Sequence, residues 1–143
     1  MDRILVVDDS AMMVMNLQSV LSIGGFEVHT ARDGNQALAL LDAGLRPDLI
    51  LTDIIMPNMD GIVLTKLVKA RLPDTPILIL TTDGQRYRRE RAAEYGASGW
   101  LVKPVTGSDL LRVVRHVIDT ARETGEAIGP SGFAELGQAE VAP

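Results

Sequence analysis

The chain alternates between short apolar runs and segments in which apolar residues recur with helical spacing. Short, largely apolar runs occupy residues 4–7, 48–51 (DLIL), 77–80 and 100–102, and a more alternating run lies at 26–29. Runs of this length and composition predict β-strands. Between them, apolar residues recur every three or four positions, as in Met13, Leu17 and Leu21. This spacing predicts amphipathic helices.

Residues that favour helix ends lie between the two kinds of pattern. Ser10 is placed to begin the first helix and Gly24 to end it, while Asp33 and Gly44 bracket the second. Continuous apolar strands separated by helices imply parallel strands joined by right-handed crossovers. We therefore predict an α/β fold, a doubly wound parallel sheet with helices on both faces.

Composition divides the chain into one domain and a tail. The 143 residues are 46% hydrophobic and 23% charged, which suits a single globular domain, predicted here over residues 1–122. Residues 123–143 are rich in Gly, Ala, Pro and Glu and contain no Lys or Arg. This composition predicts a disordered acidic tail. Phe133 and Leu136 leave open the alternative of a short partner-binding helix in this tail.

Several functional classes are disfavoured by what the sequence lacks. It contains no cysteine, which excludes disulfides, thiolate zinc sites and cysteine nucleophiles. There is no secretory signal pattern and no apolar run of membrane-spanning length, so we expect a cytoplasmic protein without membrane insertion. The formal net charge of -5 argues against DNA as a partner.

Polar residues with chemical potential follow the ends of the predicted strands. They are Asp8 and Asp9 after the first strand, Asp53 after the third, Thr81 and Thr82 after the fourth and Lys103 after the fifth. Ligand sites in open parallel sheets form beyond the carboxyl ends of the strands, so these side chains should converge. Carboxylates that crowd together need a compensating cation, and oxygen ligands favour Mg²⁺ over Ca²⁺ here. The sequence predicts a magnesium site.

Four stretches resemble the receiver domains of two-component signalling, and the stand-alone chemotaxis CheY type most of all. They are LVVDDS, PDLILTDIIMPNMDG, ILILTT and GASGWLVKP, in that order. The resemblance covers roughly the first 120 residues and is specific because it combines four strand ends. It implies a flavodoxin-like (βα)5 fold, a five-stranded parallel sheet of order 2-1-3-4-5.

The resemblance also implies a role for each residue at the strand ends. Asp53 would accept a phosphoryl group from the phosphohistidine of a sensor histidine kinase. Mg²⁺ would be bound directly by Asp9, Asp53 and the backbone carbonyl of Ile55, and through a bound water by Asp8. Thr81 and Lys103 would bind the phosphoryl oxygens, and Pro104 would follow a cis peptide bond. Ile55 stands where the best-known chemotaxis regulator has Asn, and Thr82 stands where many receivers have Ala.

Phosphorylation would then change a surface that a partner recognises. The resemblance implies that Thr81 and Trp100 move together and alter residues 84–103 and the last helix. The protein would be a phospho-switch that catalyses only its own phosphorylation and dephosphorylation, not an enzyme with turnover. Its effector would be a protein, with a flagellar motor switch first, and a phosphorelay or a kinase or cyclase as alternatives. A phosphatase would be a further partner, and the protein would be a monomer or a phosphorylation-dependent dimer.

An arginine-rich segment precedes the fifth strand and has two interpretations. It contains Arg86, Arg88, Arg89 and Arg91. A solvated helix would pair these arginines with Glu90 and Glu94. Alternatively, the arginines and Tyr87 would bind an anionic ligand such as a cyclic dinucleotide. Flavodoxin chemistry is disfavoured, because DDSAMM puts carboxylates where phosphate-binding amides are needed.

Overall fold

The computed structural model describes residues 1–82, 86–124 and 134–136. Within this part of the chain, strands and helices alternate as the apolar pattern predicts. Their bounds are β1 (Arg3–Val7), α1 (Ala11–Ile23), β2 (Glu27–Ala31), α2 (Gly34–Asp42), β3 (Leu49–Thr52), α3 (Gly61–Arg71), β4 (Ile77–Thr81), α4 (Arg86–Glu94), β5 (Gly99–Val102), α5 (Gly107–Thr124) and β6 (Ala134–Leu136). No helix in these described ranges has the length and apolar character needed to cross a membrane.

All neighbouring strands are parallel, and the first five follow the order β2-β1-β3-β4-β5. This confirms the predicted flavodoxin-like order. Val7 at the end of β1 pairs with Ala31 of β2 and with Thr52 of β3. At the other side of the sheet, Thr81 of β4 pairs with Val102 of β5. The carboxyl ends of the strands therefore lie along one edge of the sheet.

The continuous apolar strands are explained by burial on both faces of the sheet. Ile4 and Val6 of β1 belong to a core cluster shared with α1 and α5. Leu5 and Val7 face the opposite way and belong to a second cluster, shared with α2, α3 and α4. Because successive side chains point to opposite faces, a strand covered on both sides must be apolar at every position.

The predicted helix ends are confirmed by side-chain caps and glycine conformations. The Ser10 hydroxyl accepts a hydrogen bond from the backbone N–H of Met13, and the Asp33 carboxylate accepts one from that of Gln36. These caps begin α1 and α2. After α2, Gly44 adopts a φ of 111°, a left-handed conformation that glycine tolerates without a steric penalty.

A sixth strand extends the predicted five-stranded sheet. β6 pairs with β5 in parallel register, with Trp100 opposite Glu135. β6 is the outermost strand on this side of the sheet, next to β5. Leu136 lies in this strand and not in a helix; Phe133 and residues 137–143 lie outside the described residues, and tail disorder stays a prediction.

An ion-pair cluster joins the chain start to the last helix and predicts a pH dependence. Asp2 accepts hydrogen bonds from Arg122 and Arg115, at 2.5 and 2.7 Å. The bond from Arg122, with that from Arg115, lowers the pKa of Asp2 to about 2 from its usual 3.8. The stabilisation is therefore complete above the unfolded-state pKa and is lost as the pH falls through the window between these two values.

We expect Asp2→Asn to lower the free energy of unfolding by about 1 kcal/mol at neutral pH, since the half-exposed arginines are screened by solvent. The difference from wild type should shrink as the pH is lowered towards the folded-state pKa, where Asp2 becomes protonated. Urea unfolding across the acidic range measures this. A difference that does not depend on pH would contradict the ion-pair explanation.

Candidate phosphorylation and metal site

Three aspartates meet at the carboxyl edge of the sheet, as the sequence predicts. Asp8 and Asp9 follow β1, and Asp53 follows β3. One carboxylate oxygen from each lies within 4.8 Å of the others. Asp8 is buried, Asp53 is partly buried and Asp9 is exposed. A set of carboxylate oxygens with one solvent-facing side fits a hard divalent cation that keeps part of its water shell, such as Mg²⁺.

Backbone hydrogen bonds orient the carboxylates of Asp8 and Asp53. Asp8 accepts a hydrogen bond at Oδ1 from the N–H of Ser10, at 2.9 Å. Asp53 accepts one at Oδ1 from the N–H of Ile54, at 2.7 Å. In each case the turn that follows the strand supplies the donor. The other oxygen, Oδ2, is thereby directed to the space between the two strand ends.

Lys103 compensates the charge of both buried carboxylates. Its ammonium lies 3.1 Å from Oδ2 of Asp8 and 3.2 Å from Oδ2 of Asp53. The lysine side chain is only 13% exposed, so these ion pairs are shielded from solvent. The Lys103–Pro104 peptide bond is cis. The position of Lys103, directly after β5, brings the positive charge into the acidic cluster from across the sheet.

The residues expected to transmit the signal lie on β4 and β5, the strands that lead to Lys103 and its side of the site. Thr81 ends β4, is buried, and accepts a hydrogen bond at its carbonyl from the N–H of Lys103, at 2.8 Å. Trp100 is 1% exposed and packs in the same core cluster as Ala92 and Ala97. The Ile55 side chain is 59% exposed at the rim of the site. The switching roles of Thr81 and Trp100 and the ligand role of Ile55 stay predictions.

The arginine-rich segment forms α4, on the face of the sheet that α2 and α3 also cover. Arg91 donates a hydrogen bond to the Tyr95 hydroxyl at 2.9 Å, and its guanidinium lies 5.3 Å from the centre of that ring. Lys66 of α3 lies 5.7 Å from the same ring. Arg91 is thus held by the residue that directly follows its own helix. The side chains of Arg86 and Tyr87 lie outside the described part of the structure, and a nucleotide site on α4 stays a prediction.

Gly61 is a site residue that the sequence analysis missed. A Cβ at this position would lie 2.1 Å from the backbone carbonyl oxygen of Asp53. The Gly61 N–H also donates to the carbonyl of Ile54 at 2.8 Å. The start of α3 therefore packs directly against the backbone of the acceptor. One signal in the sequence could have indicated this role. Glycine is a poor helix former, yet it occupies the first position of a helix, directly after the capping residue Asp60.

We expect Gly61→Ala to lower the free energy of unfolding by about 2 kcal/mol, because the new methyl group collides with backbone that cannot rotate away. Gly107→Ala is a matched control, because Gly107 also begins a helix, and its Cβ would meet the two methyl groups of Val20, at 3.3 and 3.6 Å, rather than backbone. Urea unfolding of both variants measures the difference. Equal stability of the two variants would show that the close approach at Asp53 is not restrictive.

The fold and the acidic site together define a receiver domain of a response regulator. The chain matches the response regulator receiver domain family over residues 4–115 and belongs to this family. Receiver domains are signalling modules that phosphorylation switches, rather than enzymes with turnover.

Two curated response regulators are similar in sequence to this chain. It is 35% identical over 136 residues to the transcriptional regulatory protein CpxR of Klebsiella pneumoniae, covering 92% of this chain and 57% of CpxR. It is 36% identical over 132 residues to the response regulator MprA of a Mycobacterium species, covering 92% of this chain and 56% of MprA. The chain thus spans little more than half the length of these curated relatives.

Solved structures of single receiver domains match along nearly their whole length. The chemotaxis protein CheY4 of Vibrio cholerae is 38% identical, with a TM-score of 0.78 over 82% of this chain and 98% of CheY4. A CheY-like receiver domain of Methanospirillum hungatei is 26% identical, with a TM-score of 0.84 over 87% of this chain and 99% of that domain. The structural neighbours of this chain are therefore CheY-like receiver domains.

Proposed function

We propose that this protein is a signalling switch in which Asp53 accepts a phosphoryl group from the phosphohistidine of a sensor histidine kinase, with Mg²⁺ as the cofactor. The observation that supports it best is the joint geometry of Asp8, Asp9 and Asp53, whose carboxylate oxygens lie within 4.8 Å of one another beside the ammonium of Lys103. A cluster of this charge is suited to binding a cation and then a phosphoryl group.

The transfer step requires a carboxylate oxygen of Asp53 to attack phosphorus while the bond between phosphorus and the imidazole nitrogen breaks. The N–H of Ile54 holds one oxygen of Asp53 and so orients the other. Lys103, now paired with Asp53, would pair with a phosphoryl oxygen, and the Thr81 hydroxyl would bind another. Asp8, Asp9, Asp53 and the Ile55 carbonyl would hold Mg²⁺, which would supply positive charge to offset that of the phosphoryl oxygens.

The output surface in this proposal comprises residues 84–103 and α5. Trp100 supports this choice, because it belongs to the same buried core cluster as Ala92 of α4 and lies on β5, which pairs with the strand that ends at Thr81. Its indole Nε1 is buried and has no hydrogen-bond partner within the described ranges. A buried donor without a partner costs free energy, and a movement of the ring that gave Nε1 a partner would recover it.

The effector would be a protein recognised through this surface, in the cytoplasm. A flagellar motor switch is the first choice, because the similarity to CheY4 extends over 98% of that chain. A phosphorelay partner, or a kinase or cyclase, is the alternative. DNA is not proposed as a partner, since the net charge of -5 disfavours phosphate backbones.

The test follows Mg²⁺ binding and phosphorylation in the same sample. Trp100 is the only tryptophan of the chain, so its fluorescence during titration with Mg²⁺ and then acetyl phosphate has one source. We expect Mg²⁺ to change this fluorescence and acetyl phosphate to add one phosphoryl group, measured by intact mass, only when Mg²⁺ is present. Failure to bind Mg²⁺, by fluorescence and by calorimetry, would overturn the proposal.

A further inference from the structure

β2 is the strand whose end contributes no obvious functional residue in the sequence. In the structure, its last residue, Ala31, accepts a hydrogen bond from the N–H of Asp8 at 3.1 Å. The next residue, Arg32, reaches across to the same loop, where Nη2 donates to the backbone carbonyl of Asp9 at 2.5 Å. The end of β2 therefore holds two consecutive acidic residues by their backbone.

Arg32 is itself fixed by the first turn of α2. Its backbone N–H donates to Oε1 of Gln36 at 3.0 Å. The N–H of Gln36 in turn donates to the capping carboxylate of Asp33 at 2.8 Å. The long arginine side chain is exposed, but it extends from an anchored backbone. It thus links the start of α2 to the loop between β1 and α1.

The two cations beside the acidic cluster make different contacts. Lys103 pairs with carboxylate oxygens of Asp8 and Asp53. Arg32, in contrast, bonds a backbone carbonyl and forms no ion pair with any residue that the structure describes. Guanidinium groups ordinarily favour carboxylates, which they bind with two parallel hydrogen bonds. The contact observed for Arg32 orients the Asp9 backbone and leaves the Asp9 carboxylate available to a cation.

We propose that Arg32 is a positioning residue for the divalent-cation site, which it serves by holding the backbone of Asp9. This inference rests on the proposed function and deepens it. Asp9 is the exposed member of the three aspartates, so its conformational entropy decreases the most when a cation binds. Restraining its backbone beforehand lowers that entropic cost and raises the affinity for the ion.

The test measures Mg²⁺ affinity by calorimetry in Arg32→Ala, Arg32→Gln and Arg32→Lys. If Arg32 acts by position, the alanine and glutamine variants should bind Mg²⁺ about tenfold more weakly, the size of effect seen for other supporting residues of metal sites. Arg32→Lys keeps a charged donor of similar reach and should stay within about threefold of wild type.

A purely electrostatic role for Arg32 predicts the opposite sign. Loss of a cation from the neighbourhood of the site would then tighten Mg²⁺ binding in the alanine and glutamine variants. Arg46→Ala is the matched control, because Arg46 also donates to backbone carbonyls, those of Leu41 and Leu45, but at the far end of α2. It should bind Mg²⁺ like wild type. Thermal unfolding checks that every variant is folded.

A second measurement distinguishes two roles for Arg32, which are positioning the ion site and contacting the phosphoryl donor. At saturating Mg²⁺, the rate of phosphorylation by acetyl phosphate in Arg32→Ala should return to within about twofold of wild type, because only the affinity for the ion is lowered. Unchanged or tighter Mg²⁺ binding, or a rate that stays low at saturation, would overturn the inference. Absence of Mg²⁺ binding in the wild type would instead overturn the proposed function.

Discussion

Replacing Asp53 with asparagine should abolish phosphorylation by acetyl phosphate and weaken Mg²⁺ binding. The amide oxygen is a poor nucleophile, and the substitution removes one of the three negative charges that lie within 4.8 Å of one another. We expect no phosphoryl group in the intact mass of Asp53→Asn under conditions that modify the wild type fully. The protein should remain folded, since the change preserves side-chain shape and relieves repulsion between carboxylates.

Asp60→Asn is the matched control for this experiment. Asp60 lies in the same loop between β3 and α3, but its carboxylate caps α3 by accepting a hydrogen bond from the N–H of Val63. Asparagine preserves such a cap, so phosphorylation should be unchanged. A phosphoryl group that persists in Asp53→Asn would place the acceptor at another residue, and peptide mapping of the modified protein would locate it.

Lys103→Met should strongly destabilise the protein when no divalent cation is present. The lysine is the counterion of two shielded carboxylates, whose side chains are 4% and 14% exposed. Removing one partner of a buried ion pair leaves uncompensated charge, and we expect a loss of about 3 kcal/mol in the free energy of unfolding at neutral pH. Methionine keeps the apolar stem, so most of the loss reports on charge rather than on packing.

Mg²⁺ should restore much of the stability of Lys103→Met, because the cation supplies the charge that the lysine no longer provides and stabilises the folded state by binding to it. Urea unfolding with and without Mg²⁺ measures both effects. Lys66→Met is the control, since Lys66 is exposed and its ammonium lies over the face of Tyr95, away from the three aspartates. It should change stability by less than about 1 kcal/mol, with or without Mg²⁺. A Lys103→Met variant as stable as this control would contradict the compensating role of Lys103.

The meeting of Asp8, Asp9 and Asp53 was predictable because it depends on a rule of sheet geometry. Once the apolar runs are assigned to parallel strands, the residues that follow them must lie at one edge. Val7 and Thr52, the last residues of β1 and β3, pair with each other, so Asp8 and Asp53 follow at the same edge. The helix caps at Ser10 and Asp33 were predictable for a similar reason, since a cap acts within three residues along the chain.

Other parts of the site could not be predicted in this way. The contact between Arg32 and the Asp9 carbonyl joins residues in different turns, and an arginine after a strand has no local signature. The restriction at Gly61 depends on how closely α3 approaches Asp53. The strand β6 lies in a segment whose composition predicts disorder, and its pairing with β5 is a contact with a distant part of the chain.

The sequence by itself determined the alternation of strands and helices and the set of acidic, hydroxyl and lysine side chains at the strand ends. These features follow from periodicity and from local backbone preferences, which act over a few residues. Tertiary structure alone decided which oxygens Lys103 neutralises, that Trp100 lies in the core cluster to which Ala92 of α4 belongs, and that Arg32 holds Asp9. Such contacts depend on the packing of elements that are distant in the chain, because only the folded arrangement brings them within bonding distance.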